Sequence, residues 1–303
     1  MKSTQLVEEV LRLKEARRAI ILAHNYQRPE IQDIADFVGD SLELSQKAAQ
    51  TNAEVIVFCG VHFMAETASI LCPDKKVLLP DANAGCPMAD MITAERLREE
   101  RKEHPGAQVV CYVNSSAEVK AESDICCTSA NAIRIIAKLP AKDGILFVPD
   151  QYLGRFVSVR TGKELILWPG FCPTHVRIRP EDILRLKKQH PRAKIVVHPE
   201  CRPEVIQLAN EVLSTGGMCR FARESEAQEI IVGTEVGIIH RLKKENPSKS
   251  FFPASERAIC PNMKLINLEK VLWALKEMSP EVKIPEAIRL RAKEAVDRML
   301  QAS

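Results

Sequence analysis

His24-Asn25-Tyr26-Gln27-Arg28-Pro29-Glu30-Ile31-Gln32-Asp33-Ile34-Ala35-Asp36-Phe37-Val38-Gly39-Asp40-Ser41 returns twice further along the chain, in altered form and without a gap. The second copy runs from Tyr112 to Ser129 (YVNSSAEVKAESDICCTS), the third from His198 to Thr215 (HPECRPEVIQLANEVLST). Laid over one another, Glu30, Glu118 and Glu204 coincide, as do Ile31, Val119 and Val205, and Asp36, Asp124 and Asn210. The copies start 88 and 86 residues apart. Self-similarity at a near-constant period is the mark of one structural unit used repeatedly.

Working outward, each copy is preceded by a short apolar run: Ala19-Ile20-Ile21-Leu22, Val109-Val110-Cys111 and Ile195-Val196-Val197. These runs read as buried strands. Pro29-Glu30 and Pro203-Glu204 suit a first helical turn. A second strand is expected at Glu54–Phe58, Ile145–Val148 and Ile230–Val232, and a third at Lys76–Leu79, Leu165–Trp168 and Ser250–Phe252. Each unit opens with a helical pattern (Gln5–Glu15, Ala89–Glu103, Glu181–Gln189) and closes on Cys-Pro, at Cys86, Cys172 and Cys260. Strands alternating with helices predict parallel sheets covered on both faces. The expected fold is α/β: three similar three-layer αβα units, 1–86, 87–172 and 173–260, in a pseudo-threefold arrangement around a central site. The tail, 261–303, adds two helices, the second starting at Pro285, and is expected on the first unit.

Composition excludes several classes. The formal net charge is +3 over 303 residues, too mild to argue for nucleic acid. No run of apolar residues is long enough to span a membrane. Met1-Lys2-Ser3-Thr4-Gln5-Leu6-Val7 has no apolar signal core, so a cytoplasmic location is expected. No Gly-x-Gly-x-x-Gly occurs, and Gly162-Lys163 lacks the earlier glycine of a phosphate loop, Val157 standing there.

Ten cysteines in an unsignalled chain of this length mean core thiols, a metal site or a nucleophile. No Cys-x-x-Cys pair occurs, so a metal site must be assembled from distant segments. In open parallel sheets ligands bind beyond the carboxyl ends of strands, where His24, Tyr112 and His198 fall. Ser41, Ser129 and Thr215 end the three copies and read as helix N-caps, at the helix ends that attract anions. If the units face one axis, three Cys-Pro thiolates converge. Three thiolates without a fourth suit a four-iron cluster with one open iron, or a three-Cys zinc with an open position. The other cysteines (Cys59, Cys72, Cys111, Cys126, Cys127, Cys219) read as core; Cys201, beside His198, could line the cavity without coordinating.

The segments His24–Gln27, Gly39–Ser45, Val61–Ala68, Tyr112–Asn114, Trp168–Cys172, His198–Cys201 and Cys260–Lys264 together resemble the quinolinate synthase family, over nearly the whole chain. The resemblance implies a [4Fe–4S] enzyme of NAD biosynthesis with a pseudo-threefold triangle of α/β domains around the cluster. It implies condensation of iminoaspartate with dihydroxyacetone phosphate to quinolinate, with release of phosphate and two waters, and an open iron acting as Lewis acid. A functional link to an aspartate oxidase or dehydrogenase, as source of iminoaspartate, is expected. An open-iron hydro-lyase acting on a hydroxy acid and a non-catalytic iron–sulfur redox sensor are the alternatives.

By resemblance, Cys86, Cys172 and Cys260 match the cluster ligands. His24, Tyr112 and His198 match substrate contacts. Ser41, Asn114, Ser129 and Thr215 match residues that hold carboxylate or phosphate oxygens. Val113 and Pro199, in the same motifs, join the substrate-binding set, and His175 matches a hydrogen-bonding position near the cluster. Tyr26, Glu200 and His198 are the expected catalytic residues, Glu200 taking and Tyr26 giving protons.

Overall fold

The coincidence of Asp36, Asp124 and Asn210 in the repeat has a backbone cause. A computed structural model describes residues 3–140 and 142–302 of the chain; residues 1, 2 and 303, the outer ends of the expected first unit and tail, lie outside the described residues. In it, Asp36 Oδ2 accepts the N–H of Ile21 at 2.8 Å, Asp124 Oδ2 that of Val109 at 2.7 Å, and Asn210 Oδ1 that of Ile195 at 2.8 Å. The same three residues return their own N–H to the carbonyls of Ile21, Val109 and Ile195. Each unit thus clips a short edge strand onto its central strand through one side chain.

Unit one runs α1 (Ser3–Ala16), β1 (Ala19–His24), α2 (Pro29–Ile34), β2 (Phe37–Gly39), α3 (Ser41–Gln50), β3 (Val55–Cys59), α4 (His62–Leu71), β4 (Lys76–Leu78). Unit two repeats the order: α5 (Ala94–Glu103), β5 (Gln108–Tyr112), α6 (Ala117–Ala121), β6 (Ile125–Cys127), α7 (Ala132–Lys138), β7 (Ile145–Val148), α8 (Gln151–Thr161), β8 (Ile166–Leu167). Unit three repeats it again: α9 (Pro180–Gln189), β9 (Lys194–Val197), α10 (Pro203–Ile206), β10 (Glu211–Val212), α11 (Thr215–Glu224), β11 (Glu229–Gly233), α12 (Ile238–Glu245), β12 (Ser250–Pro253). The tail forms α13 (Leu268–Glu277) and α14 (Glu286–Gln301).

The three sheets share one topology: β2-β1-β3-β4, β6-β5-β7-β8 and β10-β9-β11-β12, every pairing parallel. This is the α/β class expected from the repeat. The reading found three strands per unit and missed β2, β6 and β10. Those strands are two or three residues long and sit at sheet edges, so none carries an apolar run to announce it. Ile31, Val119 and Val205, which coincide in the repeat, are all fully buried against their own sheets.

Apolar packing is not shared evenly. Units one and two and the tail build one continuous core, whereas unit three has its own apolar clusters, with Ile195 and Val197 in one and Val196 in another. Unit three meets unit one largely through polar ties. Ser214 Oγ donates to Asp40 Oδ2 at 3.0 Å, and Arg241 reaches Asn25 Oδ1 at 2.8 Å and the carbonyl of Val38 at 2.7 Å. In the tail, α13 lies on α1, while α14 crosses from α4 of unit one to α6 and β6 of unit two. Ala292 of α14 is fully buried with Ile70, Ala117 and Ala121.

Candidate active site and metal centre

A cavity opens where the three units meet, and its walls come from all three. Beyond β1, β5 and β9 it is lined by His24 and Tyr26, by Tyr112 and Asn114, and by His198 and Glu200. Ser41, Ser129 and Thr215 face it, as do Cys86, Cys172, Cys260 and His175. Val113 and Pro199 are buried but are not among its walls; Val113 instead borders a small void shared with Ser41.

The cysteines sort themselves. Cys86, Cys172 and Cys260 are half-buried and face the cavity, whereas the other seven are buried. Cys201 is among the buried ones, its thiol donating to the carbonyl of Gly233 at 3.4 Å. Each cavity cysteine opens the same local device. Three residues after it begins a turn of 3₁₀ helix: Ala89–Met91, His175–Arg177 and Met263–Leu265. The thiols accept the N–H groups of Met88 and Ala89, of His175, and of Asn262 and Met263 respectively. Such N–H groups favour a thiolate. Burial and mutual repulsion oppose them: burial and the neighbouring Cys260 push Cys86 up to about 12, and burial, Glu200 and Cys86 push Cys172 up well above the ordinary thiol value. Three thiols raised by burial, each accepting from backbone N–H groups, form a donor set that a cation would complete. Soft sulfur donors suit iron–sulfur groups or zinc. Cys172, His175 and Glu200 also bring one ligand atom each to within 4.8 Å of one another.

The expectation that Ser41, Ser129 and Thr215 cap helices is corrected. The caps are Asp40, which accepts the N–H groups of Leu42 and Glu43, and Ser214, which accepts that of Gly217. In unit two Asn131 precedes α7 but turns its side chain back to the N–H of Thr128, at 2.7 Å. A cap must be extended, and Ser41 and Thr215 are already the first helical residues. The Ser41 hydroxyl is therefore left for the cavity beside the N-terminus of α3, while that of Thr215, beside α11, accepts from Asn25 Nδ2 at 2.9 Å and keeps its own proton to donate.

His24 and His198 occupy equivalent positions and are held identically. Nδ1 of His24 accepts the N–H of Tyr26 at 3.2 Å, and Nδ1 of His198 accepts that of Glu200 at 3.3 Å. Burial lowers both pKa values to about 3, so both rings are neutral at physiological pH. With Nδ1 accepting, the ring proton belongs on Nε2, which in His198 donates to Ser129 Oγ at 3.3 Å. These histidines are donors, not bases.

His175 is turned the other way. Its Nδ1 lies 2.7 Å from Glu200 Oε2 and 3.1 Å from Cys172 Sγ. Its Nε2 lies 2.8 Å from Thr234 Oγ1, which lies 2.5 Å from the Tyr26 hydroxyl. With Nδ1–H donating to the carboxylate, the order becomes directional: Tyr26 O–H to Thr234, Thr234 O–H to His175 Nε2, His175 Nδ1–H to Glu200. Asn114 Nδ2 adds a long donation to Glu200 Oε1 at 3.4 Å. Burial works against ionisation of Glu200, but His175, His198 and the Tyr112 hydroxyl outweigh it and its pKa falls to about 2. Burial and the Glu200 charge raise the phenols of Tyr26 and Tyr112 well above the ordinary value. Thr234 was missed by the sequence reading. It stands one residue past β11, where units one and two have Gly60 and Pro149, so the repeat gives no signal for it.

Among the described residues no helix is long and apolar enough to cross a membrane. Residues 8–301 match the model of the family described as NadA, quinolinate synthetase A protein. The chain is 62% identical over 293 residues to a quinolinate synthase of Dehalococcoides mccartyi (strain CBDB1), covering 97% of both chains. It is 56% identical over 300 residues to a quinolinate synthase of Methanosarcina barkeri (strain Fusaro / DSM 804), covering 99% of this chain and 98% of that one. It is 59% identical over 295 residues to one from Thermodesulfovibrio yellowstonii (strain ATCC 51303 / DSM 11347 / YP87), covering 97% of both. A family match over this length, joined to relatives this similar from end to end, places the chain in the quinolinate synthetase A family of enzymes.

Proposed function

We propose that the chain condenses iminoaspartate with dihydroxyacetone phosphate to give quinolinate, phosphate and two waters. The observation that carries this reading is the hydrogen-bonded line Tyr26–Thr234–His175–Glu200, along a wall that also bears three thiols from three units. Cys86, Cys172 and Cys260 would hold a [4Fe–4S] cluster, which supplies a Lewis acid for dehydration at the iron left without a protein thiolate.

The remaining residues divide the work. Ser41, Thr215 and the first two N–H groups of α11, at Thr215 and Gly216, take carboxylate or phosphate oxygens; the N–H groups of Leu42 and Glu43 in α3 are held by Asp40. His24 and His198 add neutral Nε2–H donors, and Ser129 is steered by His198. Oδ1 of Asn114 is buried without a partner and accepts from a substrate N–H or O–H. Glu200 removes protons from carbon as the ring forms and loses water, and Tyr26 returns one to a departing hydroxyl. Thr234 and His175 tie these two groups into one hydrogen-bonded line, which holds the Tyr26 phenol and the Glu200 carboxylate in a fixed relation along the wall. Iminoaspartate is the product class of an aspartate oxidase or dehydrogenase, which we take as the functional partner. We place the reaction in the cytoplasm, where thiols are kept reduced.

The test is direct. Anaerobically purified chain is supplied with iminoaspartate and dihydroxyacetone phosphate, and quinolinate is measured by chromatography. Product formation that depends on both substrates and on Glu200 supports the reading. Dehydration of a lone hydroxy acid without quinolinate, or reversible electron transfer with no product, rejects it in favour of the hydro-lyase or the redox sensor.

A further inference from the structure

Behind the cavity lies a buried ion pair that takes no part in the chemistry above, although most of what it touches does. Glu235 follows Thr234 and is fully buried. Its Oε1 accepts the backbone N–H of Cys260 at 3.1 Å, and its Oε2 accepts that of Gly237 at 2.7 Å. Lys264, in the turn after Cys260, sets its ammonium 3.0 Å from Oε1 and 3.2 Å from Oε2. The same ammonium donates to the backbone carbonyl of Tyr26. The carbonyl of Lys264 in turn accepts from Arg28 Nε at 2.9 Å. Three segments are tied at one point: the loop after β1, the turn between β11 and α12, and the turn that carries Cys260.

Two physical points argue that this knot is not there for stability. A buried ion pair must repay the desolvation of both charges, and an apolar pair of similar volume is often as stable or more so. Gly237 also has an ordinary helical φ of −60°, which any residue could adopt. Yet a Cβ at Gly237 would lie 2.6 Å from Lys264 Nζ, 2.7 Å from the Tyr26 carbonyl oxygen and 2.8 Å from Glu235 Oε2. Glycine is required there by the closeness of the knot, not by its backbone. Gln32 completes the arrangement, its Nε2 donating to the carbonyls of Gly237 and Gln27, both at 2.9 Å.

We propose that Glu235 and Lys264 are positioning residues, which fix the thiol of Cys260 and the phenol of Tyr26 relative to one another across the boundary between units three and one. The inference rests on the reading of Cys260 as a metal ligand and of Tyr26 as a proton donor. Ser214–Asp40 and Arg241–Asn25 tie the same two units elsewhere, but neither touches a metal-ligand segment. The Glu235–Lys264 knot alone, among the contacts described above, joins a metal-ligand backbone to the Tyr26 backbone.

The experiment compares the iron-loaded full chain with Lys264→Met, with Glu235→Met/Lys264→Met, and with Lys14→Met. Lys14, with the same 18% side-chain exposure as Lys264, pairs with Asp36 at 2.5 Å, lines no part of the cavity and serves as the control for a merely structural ion pair. The double variant leaves no uncompensated charge but orphans the N–H groups of Cys260 and Gly237, so its melting temperature is expected to fall and both rates are measured well below it. Its kcat for quinolinate is expected to fall about tenfold with KM within about twofold, because orientation is lost and not binding. Iron release to a chelator is expected to be about tenfold faster. Lys14→Met is expected to leave both rates unchanged. Wild-type kcat and iron release in the double variant, or the same changes in Lys14→Met, overturn the proposal. If the wild-type chain holds iron but makes no quinolinate, the functional reading fails and iron release alone decides this one. A wild-type chain that binds no iron overturns both.

Discussion

Replacing Thr234 by valine tests the hydrogen-bonded line at the hydroxyl that bridges its two rings. Valine has nearly the same shape, so the substitution removes one hydroxyl and leaves the packing. Two buried groups then lose their shorter partner, the Tyr26 hydroxyl at 2.5 Å and His175 Nε2 at 2.8 Å, and are left with each other at 3.3 Å. Two lost hydrogen bonds at about 0.5–1.5 kcal/mol each should lower stability by about 1–3 kcal/mol. If about 1.4 kcal/mol of this is felt in the transition state, kcat falls about tenfold. Thr234 is not a cavity wall, so KM should stay within about twofold. Thr234→Ser keeps the hydroxyl and should retain most of the rate. The assay is steady-state quinolinate formation, with iron content and the thermal midpoint measured on the same preparations. A folded, iron-replete Thr234→Val chain with kcat within about threefold of wild type would refute a role for this line in the reaction.

Other expectations follow from the same geometry. Cys86→Ala, Cys172→Ala and Cys260→Ala should each lose bound iron, whereas Cys219→Ala, altered at a buried core thiol, should keep it; iron and sulfide analysis decides. His24 is buried neutral with its pKa lowered from 6.5 to about 3. The unfolded chain therefore binds a proton there that the folded one refuses, and stability declines as pH falls through that window by up to about 1.4 kcal/mol per pH unit. Denaturant titrations should show a shallower decline for His24→Gln, and an unchanged slope would count against the buried neutral ring. Asp124→Ala should orphan the N–H of Val109 and cost about 1–3 kcal/mol in the chemical-denaturation midpoint, with little change in KM.

Much of the fold could be read from the chain because the period repeats things that physics repeats. Apolar strands, the helix-starting Pro-Glu pairs and the Cys-Pro ends recur at fixed offsets, and the expected α/β class is the observed one. The alignment of Asp36, Asp124 and Asn210 was visible, but its meaning was not. A side chain that pins an edge strand of two or three residues leaves no apolar pattern to interpret. The site divides the same way. His24, Tyr112 and His198 stand at equivalent strand ends, and the hydroxyls of Ser41 and Thr215 do reach the cavity, though not as caps. Thr234, Glu235 and Lys264 each belong to one unit only and act through tertiary contacts, so no repeat and no spacing announces them. The family resemblance, by contrast, was carried by contiguous motifs, and the end-to-end relatives support it.

One thiol per unit also sets an order of events during synthesis. The ribosome delivers Cys86 and Cys172 with units that can begin folding as they emerge, but Cys260 comes only at the close of the third. Until then two thiols stand ready with nothing to complete them. A metal centre held by these three thiols would thus be a late product of maturation, and its arrival would report that the last repeat has been made and has docked.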